Sequence, residues 1–142
     1  MTQPVLTPTH PNAVRIRDLE GRAGNGDFDA LQEVYTDDMV VHAGYEGPGG
    51  STRGRQQMLD KNRHMAELSG GTLRGVPLHV VADDRQAIVA FHITARRGER
   101  TLDTVLLEVW QLDEHGRMVE TWDHFTDADA WRAFWTEDPA GA

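Results

Sequence analysis

Cysteine is absent from the 142-residue chain, which removes disulfides, thiolate nucleophiles and cysteine-based zinc sites together. Basic residues are scarce: 14 Lys and Arg stand against 23 Asp and Glu, a formal net charge of −9. That balance argues against nucleic acid as a partner, because such affinity comes largely from cations on phosphates. No apolar run approaches a membrane span, so no membrane role is expected. No His-x-His or His-Glu-x-x-His spacing occurs, and metal is not expected. The glycine-rich Gly47-Pro48-Gly49-Gly50 lacks the Lys-Ser/Thr ending of a nucleotide loop, so no cofactor is expected either. Residues 1–11 carry three prolines and no leader pattern; they read as a flexible arm of a cytoplasmic protein.

What remains is an ordinary globular composition, 39% hydrophobic and 26% charged, of a length that suits one domain. Pro11 to Ala23 reads as a helix with Thr9 as its cap and Val14, Ile16, Leu19 and Ala23 on its apolar side. Asp27 then caps a short second helix with Phe28, Leu31, Val34 and Tyr35 on one face. Met39 to Ala43 reads as a strand, Gly44 to Gly54 as a loop, and Arg55 to Leu68 as a third helix ended by Gly70-Gly71. Four strand candidates follow, Thr72–Ala82, Ala87–Arg96, Leu102–Leu112 and Arg117–Phe125. Asp127 to Trp135 closes the chain as a helix bearing Trp131, Phe134 and Trp135. Helices first and a meander afterwards predict an α+β fold. The domain is expected over residues 12–136, with a flexible tail over 137–142.

Four segments in this order carry a resemblance. Gly26-Asp27-Phe28-Asp29-Ala30-Leu31, Tyr35-Thr36-Asp37-Asp38-Met39-Val40-Val41 and Arg53-Gly54-Arg55 resemble the start of ketosteroid isomerase-like and SnoaL-like domains of the nuclear transport factor 2 superfamily. Leu112-Asp113-Glu114-His115-Gly116-Arg117-Met118 resembles the hairpin between their last two strands. The resemblance implies a cone-shaped half-barrel of a curved, mainly antiparallel sheet covered by three N-terminal helices. It also implies a homodimer through the outer sheet face, where Val76, Leu78 and Val80 are expected. One reaction is not implied, since the fold hosts many. The isomerase's base position falls here on Ala43, preceded by His42, and its oxyanion-binding tyrosine on Leu19. Its buried carboxylic acid has a counterpart in Glu108. Thr121-Trp122-Asp123 falls on the Trp-Asp pattern of SnoaL-like cyclases, whose aspartate is their proposed acid/base residue.

Hairpin register decides which side chains share the cleft. Pairing Leu112 with Arg117 across a four-residue connection puts Glu108 opposite Thr121 and turns Glu108, Trp110, Thr121, Asp123 and Phe125 inward. A three-residue connection with Gly116 in a bulge would instead turn Glu120, Trp122 and His124 inward. The first register is the one the resemblance favours. Asp123 and Glu108 then form a carboxylate pair whose pKa values are pushed apart, one acid and one base. His42, at a strand end, is a further proton-transfer candidate whose direction alternation leaves open. Tyr45 on the loop offers a hydroxyl, and His124 substitutes for Asp123 in the other register. His79, His92, His115 and His64 are read as surface residues. The expected function is cofactor-free acid/base chemistry on a small apolar carbonyl, epoxide or polyketide-like metabolite, of the isomerase, cyclase, dehydratase or epoxide-opening type. The alternative is a non-catalytic ligand-binding protein using the same pocket.

Overall fold

A computed structural model describes residues 5–137. The first four residues of the expected arm and residues 138–142 of the expected tail lie outside that range. Within the arm, Thr7 is tied to Ala82 by a reciprocal pair of backbone hydrogen bonds of 3.0 Å.

The fold is α+β. Helix α1 spans Pro11–Gly24, a 3-10 helix Phe28–Glu33, strand β1 Tyr35–His42, β2 Thr52–Arg53 and helix α2 Arg55–Leu68. Strands β3 (Arg74–Ala82), β4 (Gln86–Arg97), β5 (Arg100–Leu112) and β6 (Met118–Phe125) follow, and helix α3 (Ala128–Thr136) ends the described chain. The sheet runs β2-β1-β6-β5-β4-β3, antiparallel except for β1 beside β6. It curves without closing, and α1, the 3-10 helix and α2 cover its concave face as a cone-shaped half-barrel.

Several boundaries differ from those read in the sequence. His10, not Thr9, caps α1, its Nδ1 accepting from the Asn12 backbone at 3.0 Å. Val14 is exposed, and the buried stripe of α1 is Ala13, Ile16, Leu19, Glu20 and Ala23. Asp27 makes no side-chain cap; its carboxylate meets Arg22 at 3.2 Å. β1 begins four residues before Met39, because Thr36, Asp37 and Asp38 are strand residues whose polarity reads as loop. On β3 a bulge between Pro77 and His79 shifts the register. Val80 is therefore buried, while Val76 and Leu78 stay half exposed.

In the β5–β6 hairpin, Leu112 pairs with Met118, not with Arg117, and the Asp113 amide donates to the Arg117 carbonyl at 2.9 Å. The connection is thus the three-residue type, with Gly116 at φ +76° where other residues are strained. A Cβ at Gly116 would also stand 2.3 Å from Asn12 Oδ1. Alone, that turn would aim Glu120, Trp122 and His124 into the cleft. A second irregularity follows immediately: Gln111 pairs with Glu120, so Val119 is an extra residue. The bulge restores the other face, and Glu108 comes directly opposite Asp123 instead of Thr121.

Candidate functional site

Between the helices and the concave face lies a cavity of about 110 Å³. Phe28, Leu31, Met65, Phe91, Ile93 and Leu106 supply much of its apolar wall. Its polar groups come from five elements: Glu20 of α1, Tyr35 of β1, Lys61 and Asn62 of α2, and the cross-strand pair Glu108 of β5 and Asp123 of β6.

The inner face of β5 and β6 follows from strand alternation. Leu106, Glu108 and Trp110 on β5 and Thr121 on β6 are buried, and Asp123 is partly covered. Trp110 lies fully buried beside Glu108 and donates its indole N–H to Glu108 Oε1 at 2.8 Å. That bond holds the carboxyl in one orientation. Asp123 Oδ1 is buried, and among the described residues no N–H or hydroxyl reaches it. The Glu108 carboxyl, hydrogen-bonded to Asp123, supplies a donor when it carries a proton.

The electrostatics follow from this enclosure. Burial, then the charges of Asp123 and Glu20, push Glu108 well above the ordinary carboxylate range. Burial also raises Asp123, but Lys61 and the bond to Glu108 oppose the rise. The pair therefore divides its labour: Glu108 keeps the proton and Asp123 is the readier to ionise. Lys61 is itself lowered by burial, with the two carboxylates pulling it back. Its Nζ donates to the Gly50 carbonyl at 2.7 Å, which fixes the ammonium beside the pair. Burial and the Glu20 and Glu108 charges raise the Tyr35 phenol well above its usual range, with Asn62 opposing.

Other candidates lie elsewhere. His42 does not enter the cleft. Val41 takes the inward position, and His42 lies on the outer face, stacked on Trp122 at 5.4 Å between ring centroids and 2.6 Å from Glu120 Oε2. His124 is exposed on that same outer face, as the bulge dictates, so His42, Glu108 and His124 do not converge. Tyr45 is half-buried and outside the cavity wall; its hydroxyl donates to the Pro48 carbonyl at 2.8 Å. Phe125 turns inward but packs on Trp131, ring centroids 4.9 Å apart. Trp131 does line the cavity, and its indole donates to the Gly49 carbonyl at 3.0 Å, joining α3 to the glycine loop. Thr121 is fully buried, and its hydroxyl lacks a partner among the described residues.

Glu20, Tyr35, Lys61 and Asn62 were not among the sequence candidates, although three of them leave a signal. Met58, Lys61, Asn62 and Met65 follow i, i+3, i+4, i+7 spacing, so two polar residues interrupt an apolar stripe. Glu20 similarly occupies the position between Ile16 and Ala23 where α1 should be apolar.

The SnoaL-like domain family matches residues 16–121. The chain belongs to that family. A search of the curated proteins finds no significant match. Among solved structures, the chain is similar to Bal32a from a soil-derived mobile gene cassette, at 29% identity and a TM-score of 0.78, covering 87% of this chain and 95% of that one. It is also similar to IdmH of Streptomyces antibioticus, a candidate polyketide cyclase, at 18% identity, TM-score 0.67, with 88% and 98% covered. The epoxide hydrolase/cyclase-like enzyme SalBIII, which takes part in pyran ring formation in the polyether salinomycin, gives 14% identity, TM-score 0.66, with 83% and 92% covered. The latter two likenesses are of fold.

Proposed function

We propose that the chain is a cofactor-free acid/base enzyme of the SnoaL-like kind, acting on a small, largely apolar carbonyl or polyketide-like metabolite. The observation that carries this reading is the Glu108–Asp123 pair, cross-strand neighbours at the wall of an apolar cavity. Two carboxyls there that both ionised would repel at close range, whereas sharing one proton leaves an acid and a base side by side. Asp123, kept ionisable by Lys61, removes a proton next to the substrate carbonyl. Glu108, oriented by Trp110, donates to the oxygen on which negative charge develops. A cyclase- or epoxide-type relative fits the same division: one group activates, the other protonates the leaving or receiving oxygen. The homodimer through the outer sheet face belongs to this proposal. Supporting it are Val76, Leu78 and Leu107, at 50, 48 and 40% exposure, which a partner would cover.

The test uses a model ketone. With 2-tetralone in D2O, NMR follows exchange of the protons next to the carbonyl. Exchange above the buffer rate that disappears in Asp123→Asn is the expected result. Binding of the ketone without any exchange would show that the pocket binds and does not catalyse.

A further inference from the structure

Glu20 is the carboxyl group of the cavity that neither the pair nor its Lys61 neighbour accounts for. It is only 9% exposed, lines the cavity, and makes no hydrogen bond among the described residues. Buried polar groups nearly always have partners, because an unmade hydrogen bond forfeits the hydration lost on burial. The helix that carries it is seated unusually close to the sheet. A Cβ on Gly24 would stand 1.7 Å from the Gly75 carbonyl oxygen, so only glycine lets α1 lie against β3 here. That approach sets Glu20 on the α1 side of the cavity, on a helix packed against β3. β3 and β6, which carries Asp123, are separated by two strands of the sheet, yet the Glu20 charge still bears on Glu108 across the cavity.

We propose that Glu20 is a specificity residue that hydrogen-bonds an uncharged oxygen on the substrate, a hydroxyl, enol or carbonyl, at a point other than the reacting atoms. The proposal rests on the acid/base reading for which end reacts. The substrate class is thereby narrowed to an apolar body bearing two oxygen functions, one facing Glu108 and Asp123 and the other facing Glu20. Burial pushes Glu20 up to about 8, so near neutrality the group is largely a neutral carboxylic acid. In that form it offers one donor and one acceptor, and matches either kind of oxygen. An anionic ligand group is disfavoured beside three carboxyls and one ammonium.

The test is isothermal titration with 2-naphthol, 2,6-naphthalenediol and 6-(aminomethyl)-2-naphthol. Wild-type protein should bind the diol about tenfold more tightly than the mono-ol, the scale of one added hydrogen bond. Glu20→Gln keeps a neutral donor and acceptor and should retain the preference; Glu20→Leu should abolish it while binding the mono-ol as well as wild type does. Thermal unfolding should show Glu20→Leu no less stable than wild type, since no protein contact is lost. Asp123→Asn should keep the diol preference, which separates the two readings: loss of tetralone exchange leaves the Glu20 assignment standing, and loss of the preference leaves the acid/base pair standing. Equal binding of diol and mono-ol, or failure of both to bind, would overturn the proposal. So would a preference that survives Glu20→Leu, or a lowered melting temperature in both Glu20 variants. Tightest binding of the aminomethyl probe would make Glu20 a cation site instead.

Discussion

The two faces of β5 and β6 carry the same residue types and treat them oppositely. On the inner face, Glu108 and Asp123 face each other at the cavity wall, Glu108 held by an indole and Asp123 in the field of an ammonium. At alternate strand positions, the outer face carries Glu120 of β6 beside His42 of β1 at 2.6 Å, and Asp103 of β5 beside His92 of β4 at 2.7 Å. Those histidine–carboxylate pairs are 33–74% exposed, and water does most of the work of stabilising them. Residue type therefore says little about chemistry in this sheet. Enclosure decides it, and enclosure is set by strand parity.

That contrast can be broken from either side. The largest effect should come from the inner face: Asp123→Asn is expected to reduce tetralone exchange by about 10²- to 10⁴-fold, with little loss of binding. Glu108→Gln should cost less, because an amide still donates to an oxyanion. Both follow from the exchange rate measured against ketone affinity.

The next effect concerns Glu20 and pH. Its pKa is raised from 4.5 to about 8 in the folded chain, so the folded state holds a proton that the unfolded state has lost between those values. Stability must then fall as pH rises through that window, by up to about 1.36 kcal/mol per pKa unit of displacement. Glu20→Gln removes its share of this slope, and the raised Glu108 and Asp123 carboxyls keep the rest. The gap between denaturant midpoints at pH 5 and pH 8.5 should therefore be smaller in the variant than in wild type.

Smaller still is the expected effect on assembly and at the outer pairs. Leu107→Asp should convert a dimer to a monomer in light scattering, because it places a charge in the proposed interface. His42→Ala should change stability by less than about 1 kcal/mol and leave exchange intact. A large loss of exchange in His42→Ala would erase the distinction between the faces.

How much of this was legible in the sequence varies with the kind of signal. The α+β order and α2 from Arg55 to Leu68 were readable, because periodicity and glycine stops are local. The inward set Glu108, Trp110, Thr121, Asp123 and Phe125 was readable too, but through two compensating departures. A four-residue turn was expected, a three-residue turn is present, and the Val119 bulge returns the face. Bulges leave no mark in a hydrophobic pattern, which is also why Val80 was placed outside. Direct pairing of Glu108 with Asp123 could not be read for the same reason. Lys61, Asn62 and Glu20 were overlooked because a polar residue in an amphipathic helix is ordinarily assigned to water. Their stripe positions are informative only once a cavity is known to lie beneath them.

The claim on which the rest depends is that the inner pair shares a proton while enclosed. Carboxyl 13C shifts followed by NMR across pH, with Glu108→Gln and Asp123→Asn used for assignment, measure this directly. The account predicts a Glu108 carboxyl that titrates well above the ordinary carboxylate range and an Asp123 shift that responds to the same proton. Independent loss of both protons in the ordinary range of exposed carboxylates would contradict it.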